Sequence, residues 1–186
     1  IFARNEVQLP LSFYEDWLEV GCDEARHQWC LQRRLEELGS FYGQLKVHNN
    51  LWDSAVDTVN TLTGRLVVIP LVQEARGLDA HPRMVDRILG TGDKETAQLI
   101  DLICSEEVSH VHKGIKWFSF VCNELQVDVE KHFQENVRKY VPGGELLPPF
   151  NIWAREQAGM EKKLYIGVSA ERKTMETKMN VNTNLI

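Results

Sequence analysis

The sequence predicts an all-α fold, and the spacing of its apolar residues is the main reason. Between residues 11 and 38, and again between residues 93 and 125, apolar side chains recur every three or four positions. This spacing keeps one face of a helix turned toward a core. Shorter stretches over residues 51–77 and 127–140 have the same period. With 186 residues, 43% of them hydrophobic, the chain is long enough for one ordinary domain.

The first long helix is predicted to begin near Ser12 and to end at Gly39. Ser12 and Glu15 form the Ser-x-x-Glu pattern of a capping box, and glycine favours the left-handed conformation that ends helices. The inward face of this helix reads Phe13, Trp17, Val20, Glu24, His27, Leu31, Arg34 or Leu35, and Leu38. Glu24 and His27 therefore occupy positions where an apolar residue is expected.

A loop over residues 40–50 leads to the second helical stretch. We expect Gly64 and Pro70 to interrupt this stretch, because proline lacks a backbone donor and clashes with the preceding turn. Pro82 and Gly90 predict a separate short helix, preceded by a turn at residue 79.

The longest helix is predicted from Asp93, as its cap, to Leu125. Its inward face reads Leu99 or Ile100, Ile103, Glu107, His110, Gly114, Trp117 and Val121. Glu107 and His110 repeat the polar intrusion of the first helix. Glu106 lies off this face and is not expected to be a ligand. A bare buried carboxylate costs several kcal/mol unless it is paired, hydrogen-bonded or bound to a metal.

The two Glu-x-x-His pairs indicate a metal site. Residues three apart are neighbours on a helix, so each pair can place a carboxylate and an imidazole on one ion. Glu74 is a further carboxylate on an apolar stripe of its own helix. Such pairs, with single glutamates from other helices, are the ligand plan of di-iron and di-manganese carboxylate bundles. The predicted metal ligands are Glu24, His27, Glu74, Glu107 and His110, and no catalytic residue is assigned.

The C-terminal part is predicted to contain one amphipathic helix, an extended Pro-Pro segment and a short helix that ends at Gly159. We expect residues 1–167 to form the helical domain. Residues 168–186 are polar and show no periodicity, which indicates a tail or an arm that binds a partner.

Several motifs along the chain form a series that is specific when the motifs are taken together. They are Leu9-Pro10, Phe13-Tyr14-Glu15-Asp16-Trp17, Asp23-Glu24-Ala25-Arg26-His27, Glu74-Ala75-Arg76-Gly77, Glu107-Val108-Ser109-His110-Val111, Pro148-Pro149-Phe150-Asn151 and Ala154-Arg155. This series resembles an uncharacterised ferritin-like family, a domain of unknown function within the ferritin-like di-iron carboxylate superfamily. The resemblance covers roughly residues 9–159.

The resemblance implies a ferritin-like four-helix bundle with a dinuclear metal site. The family has an additional first helix, which carries a sixth ligand glutamate, and this chain begins too late for it. Glu6 lies in a short segment and is a poor substitute. We therefore expect a bundle that lacks its first helix in this chain, so that the chain is a fragment, the site is degenerate, or a protein partner or second copy completes the bundle.

The ligand set favours two iron ions, or manganese, over copper or a thiolate-bound metal. The main hypothesis is an iron-dependent oxidase or hydroxylase that activates oxygen. An iron-handling ferroxidase and a non-catalytic structural subunit of a larger assembly are the alternatives. An apolar pocket beside the metals would favour the oxidase, and an acidic ion path the ferroxidase. Arg26 and Arg76 are candidates for salt bridges that orient the ligands, with a surface position as the alternative.

The composition argues against a nucleic-acid-binding or a membrane-spanning protein. The net charge of −6 and the absence of a basic stripe argue against a nucleic-acid partner. No apolar run reaches the roughly 18–20 residues of a membrane span. Four cysteines without a C-x-x-C pair indicate a reducing compartment. The chain starts with isoleucine and shows no signal-peptide pattern, so we expect an intracellular protein, cytoplasmic or organellar, and mitochondrial if a leader was removed.

Overall fold

The computed structural model of the chain describes residues 7–169. These residues form helices and connecting loops without a strand, which confirms the predicted all-α class. The elements are α1 (Leu11–Glu37), α2 (Asn50–Asp57), α3 (Leu62–Leu66), a π-helix (Val67–Glu74), α4 (Ala75–Gly90), α5 (Lys94–Glu124), α6 (Val129–Tyr140), a 3₁₀ turn (Pro142–Gly144), α7 (Ile152–Gln157) and α8 (Lys162–Ile166). No helix among these is long and apolar enough to cross a membrane.

Helix α1 ends where the sequence predicts, but its N-terminus is not capped as predicted. Gly39 takes a φ of 78°, the left-handed conformation expected after a helix end. The capping-box prediction at Ser12 is wrong, because Pro10 is the extended residue before the helix and no side chain caps it. Phe13 and Val20 are buried, but Leu38 is exposed, so the inward face is covered only over the first part of the helix.

The stretch over residues 50–90 breaks at a different place from the one predicted. Thr58 begins the break between α2 and α3, whereas Gly64 lies inside α3 with its backbone close to Tyr140. Pro70 lies inside the π-helix, which interrupts the α-helical hydrogen-bonding pattern there, as predicted, without ending the helix. A π-helix shifts the backbone hydrogen bonds to a longer spacing, and such segments frequently occur at functional sites.

The predicted turn at Asp79 is also wrong, since α4 continues through this residue and through Pro82 to its end. Proline at position 82 leaves the carbonyl of Leu78 without its helical donor. The side-chain amide of Asn151 donates to that carbonyl at 3.2 Å. A long-range contact, which local sequence patterns do not report, therefore keeps the helix continuous.

Helix α5 lies at the centre of the fold. It packs against α1, α3, the π-helix, α4, α6 and α7. As predicted, Asp93 caps it, accepting from the backbone of Thr96 at 2.9 Å. The apolar core around it is completed by Phe13 from α1, Leu71 from the π-helix and Phe133 from α6.

A buried ion pair fastens the C-terminal helices to α4. Arg155 donates to both carboxylate oxygens of Asp79, at 2.9 and 2.7 Å, and both side chains are buried. The guanidinium also lies over the rings of Phe150 and Tyr165, at 5.0 and 4.7 Å. Such a two-point contact fixes orientation as well as distance.

The first residues of the predicted tail belong to the packed body. Val168 is buried and its carbonyl accepts from the backbone of Leu146 at 2.7 Å, and Ser169 forms an isolated bridge with the same residue. Residues 170–186, like Glu6, lie outside the described residues, so the tail stays a prediction.

Helix α5 approaches the π-helix closely at Gly114. A Cβ at this position would lie 2.7 Å from Cβ of Pro70 and 2.9 Å from a methyl of Leu71. These distances are shorter than a carbon–carbon contact allows, so only glycine permits the two segments to pack at this separation.

We expect Gly114→Ala to destabilise the fold, by about 1–3 kcal/mol, because the added methyl overpacks the contact with the π-helix. Gly77→Ala is the matched control, since Gly77 is an exposed glycine inside α4 with open space around it. That control should gain up to about 1 kcal/mol from helix propensity. Urea unfolding measures both variants, and equal midpoints would contradict the close approach.

Candidate metal centre

The five predicted ligands converge at one place, where α1 and α5 lie side by side. Nδ1 of His110 lies 2.9 Å from Glu107 and 3.2 Å from Glu24. Nδ1 of His27 lies 3.2 Å from Glu107 and 4.0 Å from Glu24. The two imidazole rings are 5.9 Å apart. Both histidines therefore direct the same ring nitrogen toward the two carboxylates between them.

The side chains form two overlapping groups with the spacing of metal ligands. One group contains Glu24, Glu74 and His110, and the other contains Glu24, His27 and Glu107. Within each group, the ligand atoms lie within 4.8 Å of one another. Glu24 belongs to both groups.

Glu74 is the least compensated member of the cluster. It is the last residue of the π-helix, and its Oε2 is buried without a hydrogen-bond partner. Burial, followed by the neighbouring charge of Glu107, raises the pKa of Glu74 to about 7. Nδ1 of His27 is likewise buried without a hydrogen bond. Buried polar atoms without a hydrogen-bond partner require an explanation, and a cation bound among these carboxylates would provide one.

His110 partly balances the charge of the carboxylates around it. Burial lowers the pKa of His110, but hydrogen bonds to Glu107 and Glu24 outweigh burial and raise it to about 10. The hydrogen bond with His110 holds the pKa of Glu24 below its ordinary value. A cation that binds here would displace the proton from His110, because a ligating imidazole is neutral.

The outer nitrogens of the two histidines face a second pair of carboxylates. Nε2 of His27 lies 2.7 Å from Glu106 on α5, and Nε2 of His110 lies 3.3 Å from Asp23 on α1. A metal-ligating histidine usually donates its other ring nitrogen to such a group, which fixes the tautomer and the ring plane.

The sequence reasoning missed the role of Glu106, because it lies beside the inward face and not on it. The available signal was the acidic residue before each predicted ligand glutamate, Asp23-Glu24 and Glu106-Glu107. Of the two arginines considered, Arg26 contacts the outer carboxylates, whereas Arg76 donates to the carbonyl of Leu147.

The chain matches one protein family. The profile of a family described as "Protein of unknown function (DUF455)" matches residues 1–166. The chain belongs to the DUF455 family.

The chain is also similar to a curated protein. An uncharacterized protein of Haemophilus influenzae is 33% identical over 138 residues, which are 74% of this chain and 48% of that relative. The chain thus spans about half the length of the relative it matches. No solved structure matches the chain. The family is therefore established, and its relation to ferritin-like proteins stays a prediction.

A groove runs along α1 beside the cluster. Its volume is about 660 Å³, and Glu24 and His27 form part of its wall. The remaining wall is provided by Gly21, Ala25, Gln28, Leu31, Gln32, Leu35 and Tyr42. Glu24 is 49% exposed, whereas His110 is fully buried. The cluster is thus accessible from the His27 side.

We expect Glu74→Gln to stabilise the metal-free protein by about 1–2 kcal/mol at pH 8, because a neutral amide costs less to bury than an ionised carboxylate. The folded-state pKa of about 7 lies above the ordinary 4.5. Ionisation of Glu74 therefore destabilises the fold increasingly as pH rises between these values, and the advantage of the variant should grow over the same range.

Urea unfolding in the presence of a chelator measures this effect. Glu15→Gln, on the exposed side of α1, is the control and should change stability by less than about 0.5 kcal/mol. A Glu74→Gln protein that is less stable than wild type at pH 8 would show that Glu74 is compensated.

Proposed function

We propose that this protein binds two iron ions, or manganese ions, in a carboxylate-bridged site and uses them in oxygen-dependent oxidation. The observation that carries the proposal is the convergence of Glu24 and Glu107 between the inward nitrogens of His27 and His110. In a ferritin-like bundle, this is the arrangement of two Glu-x-x-His helices around a dinuclear site.

The donor chemistry fits this assignment. Glu24, Glu74 and His110 would hold one ion, and Glu24, His27 and Glu107 would hold the other. Carboxylate oxygens and imidazole nitrogens suit iron and manganese. The described residues contain no thiolate within the cluster. Two bridged ions, when bound, would supply oxygen activation.

The protein's own residues would perform the remaining tasks. Burial of His110 and of the Oε2 atom of Glu74 limits the access of water to one side of the cluster. Asp23 and Glu106 hold the outer nitrogens of the histidines and so orient the ligands. Beyond His27 along the chain, the wall of the groove contains the apolar residues Leu31, Leu35 and Tyr42, which favour an organic substrate, and hence an oxidase or hydroxylase, over iron storage.

We expect Glu24→Ala to abolish binding of both ions, because Glu24 belongs to both groups of ligand atoms. Glu107→Ala should have a similar effect, and Glu15→Ala, an exposed glutamate on the same helix, should have none. Elemental analysis of the purified proteins measures iron and manganese, and wild type should contain about two ions per chain.

Wild-type protein that contains neither metal, before and after incubation with Fe²⁺ under anaerobic conditions, would contradict the proposal. If Glu24→Ala and Glu107→Ala instead change only the oligomeric state, the structural-subunit hypothesis is supported.

One face of α1 supports a role in assembly beside the metal site. Leu11, Tyr14, Leu18, Gly21 and Ala25 follow one another at steps of three and four, and all are exposed. Among the described helices, α1 makes its main contacts with α5. We propose that this face binds a further amphipathic helix, because an exposed apolar stripe of several turns marks a protein interface.

The helix that we propose to bind this face would carry a glutamate directed toward the cluster. Each group offers three ligand atoms from the described residues, so an ion bound there would accept a further carboxylate. Gly21 and Ala25, at the level of Glu24, leave room for a close approach at this point. A helix with an inward glutamate would therefore complete both the bundle and the ligand set.

We expect the isolated 186-residue chain to self-associate through this face, and Leu18→Glu to yield a monomer. Leu18 is 70% exposed, and a charge there opposes burial in an interface. Leu102→Glu, at an exposed position on α5, is the control and should behave as wild type. Light scattering after size-exclusion chromatography measures the molecular mass of the protein. A monomeric wild type at high concentration would exclude self-association through this face.

A further inference from the structure

The guanidinium of Arg26 connects the two outer carboxylates of the cluster. Its Nη2 donates to Asp23 at 2.9 Å and to Glu106 at 3.0 Å. Asp23 lies on the same helix, three residues before Arg26, whereas Glu106 lies on α5. A single cation therefore bridges the two helices that carry the histidines.

Each of these carboxylates continues to a histidine of the opposite helix. Asp23 on α1 contacts Nε2 of His110 on α5, and Glu106 on α5 contacts Nε2 of His27 on α1. The contacts form two crossed chains that start from the same guanidinium. A displacement of Arg26 would thus reach both imidazoles, although the guanidinium touches neither inward nitrogen.

The positive charge of Arg26 offsets the negative charges of both Asp23 and Glu106. Without the cation, Asp23 and Glu106 would face each other as like charges, and both are partly exposed. Each could then rotate toward water and leave the outer nitrogen of a histidine without its acceptor. The ring planes of His27 and His110 would no longer be fixed.

We propose that Arg26 is a positioning residue that holds both histidines in the orientation for metal binding, through Asp23 and Glu106. This role rests on the proposed function, since it presumes that the inward nitrogens bind ions. Arg26 is 44% exposed, and exposed ion pairs contribute little to the stability of a fold. Its contacts are therefore better explained by ligand orientation than by stability.

The test compares Arg26→Gln with Arg33→Gln. Arg33 is an exposed arginine on the same helix that lies over Trp29 and does not contact the cluster, so its variant matches the change in charge. Titration with Co²⁺, in competition with a chelating dye, measures affinity. Arg26→Gln should bind Co²⁺ about 10- to 100-fold more weakly, the usual effect of losing an outer partner of a ligand.

A second readout separates orientation from stability. Proton NMR of the Co²⁺-loaded protein shows the Nε2–H protons of the ligating histidines at strongly shifted positions. In Arg26→Gln, both protons should exchange with water faster than in wild type, because their acceptors are loosened. Arg26→Lys should recover part of the affinity, since an ammonium keeps the charge but lacks the rigid fork of the guanidinium.

The outcomes distinguish this role from the proposed function. Wild type that binds no Co²⁺ would overturn the proposed function and the role of Arg26 together. Wild type that binds Co²⁺, with an Arg26→Gln variant of equal affinity and equal proton exchange, would overturn the role of Arg26 alone. Weaker binding and faster exchange in Arg26→Gln, at an unchanged melting temperature, would support it.

Discussion

The structure depends on how charge is balanced between α1 and α5. Glu24 and Glu107 lie beside two buried imidazoles in a region where both helices otherwise carry apolar residues. Carboxylates in such surroundings need a positive partner. The protonated form of His110 supplies part of that charge, and the guanidinium of Arg26 supplies more at the rim. The partial balance explains how two carboxylates can be held between these helices.

The rest of the fold places Glu74 against this pair of helices. Its side chain comes from the end of a π-helix that contains Pro70 and packs onto α5 across Gly114. Local helix propensity would not select a proline and a π-helix at this point. The close packing of Leu71 and the neighbouring core residues holds this irregular segment in place. Irregular backbone beside a cluster of ionisable groups is a combination that functional sites often show.

The periodic part of the structure was predictable from the sequence, and the exceptions have tertiary causes. The inward positions of Glu107 and His110 follow from a spacing of three and four residues, and the structure brings both to the cluster. The position of Glu106 was not predictable, because it depends on how closely α1 lies against α5. The turn predicted at Asp79 fails because a contact with a segment 72 residues later outweighs the local pattern.

The contact between Asn151 and the carbonyl of Leu78 has a consequence for the order of folding. Proline leaves a gap in the hydrogen bonds of α4, and a side chain 73 residues downstream fills it. Similarly, the carboxylate of Asp79, the next residue, gains its ion-pair partner only after Arg155 has been synthesised. On the ribosome, α4 therefore emerges before the groups that complete it, and the carbonyl of Leu78 and the carboxylate of Asp79 must be solvated by water until the C-terminal segment has been synthesised.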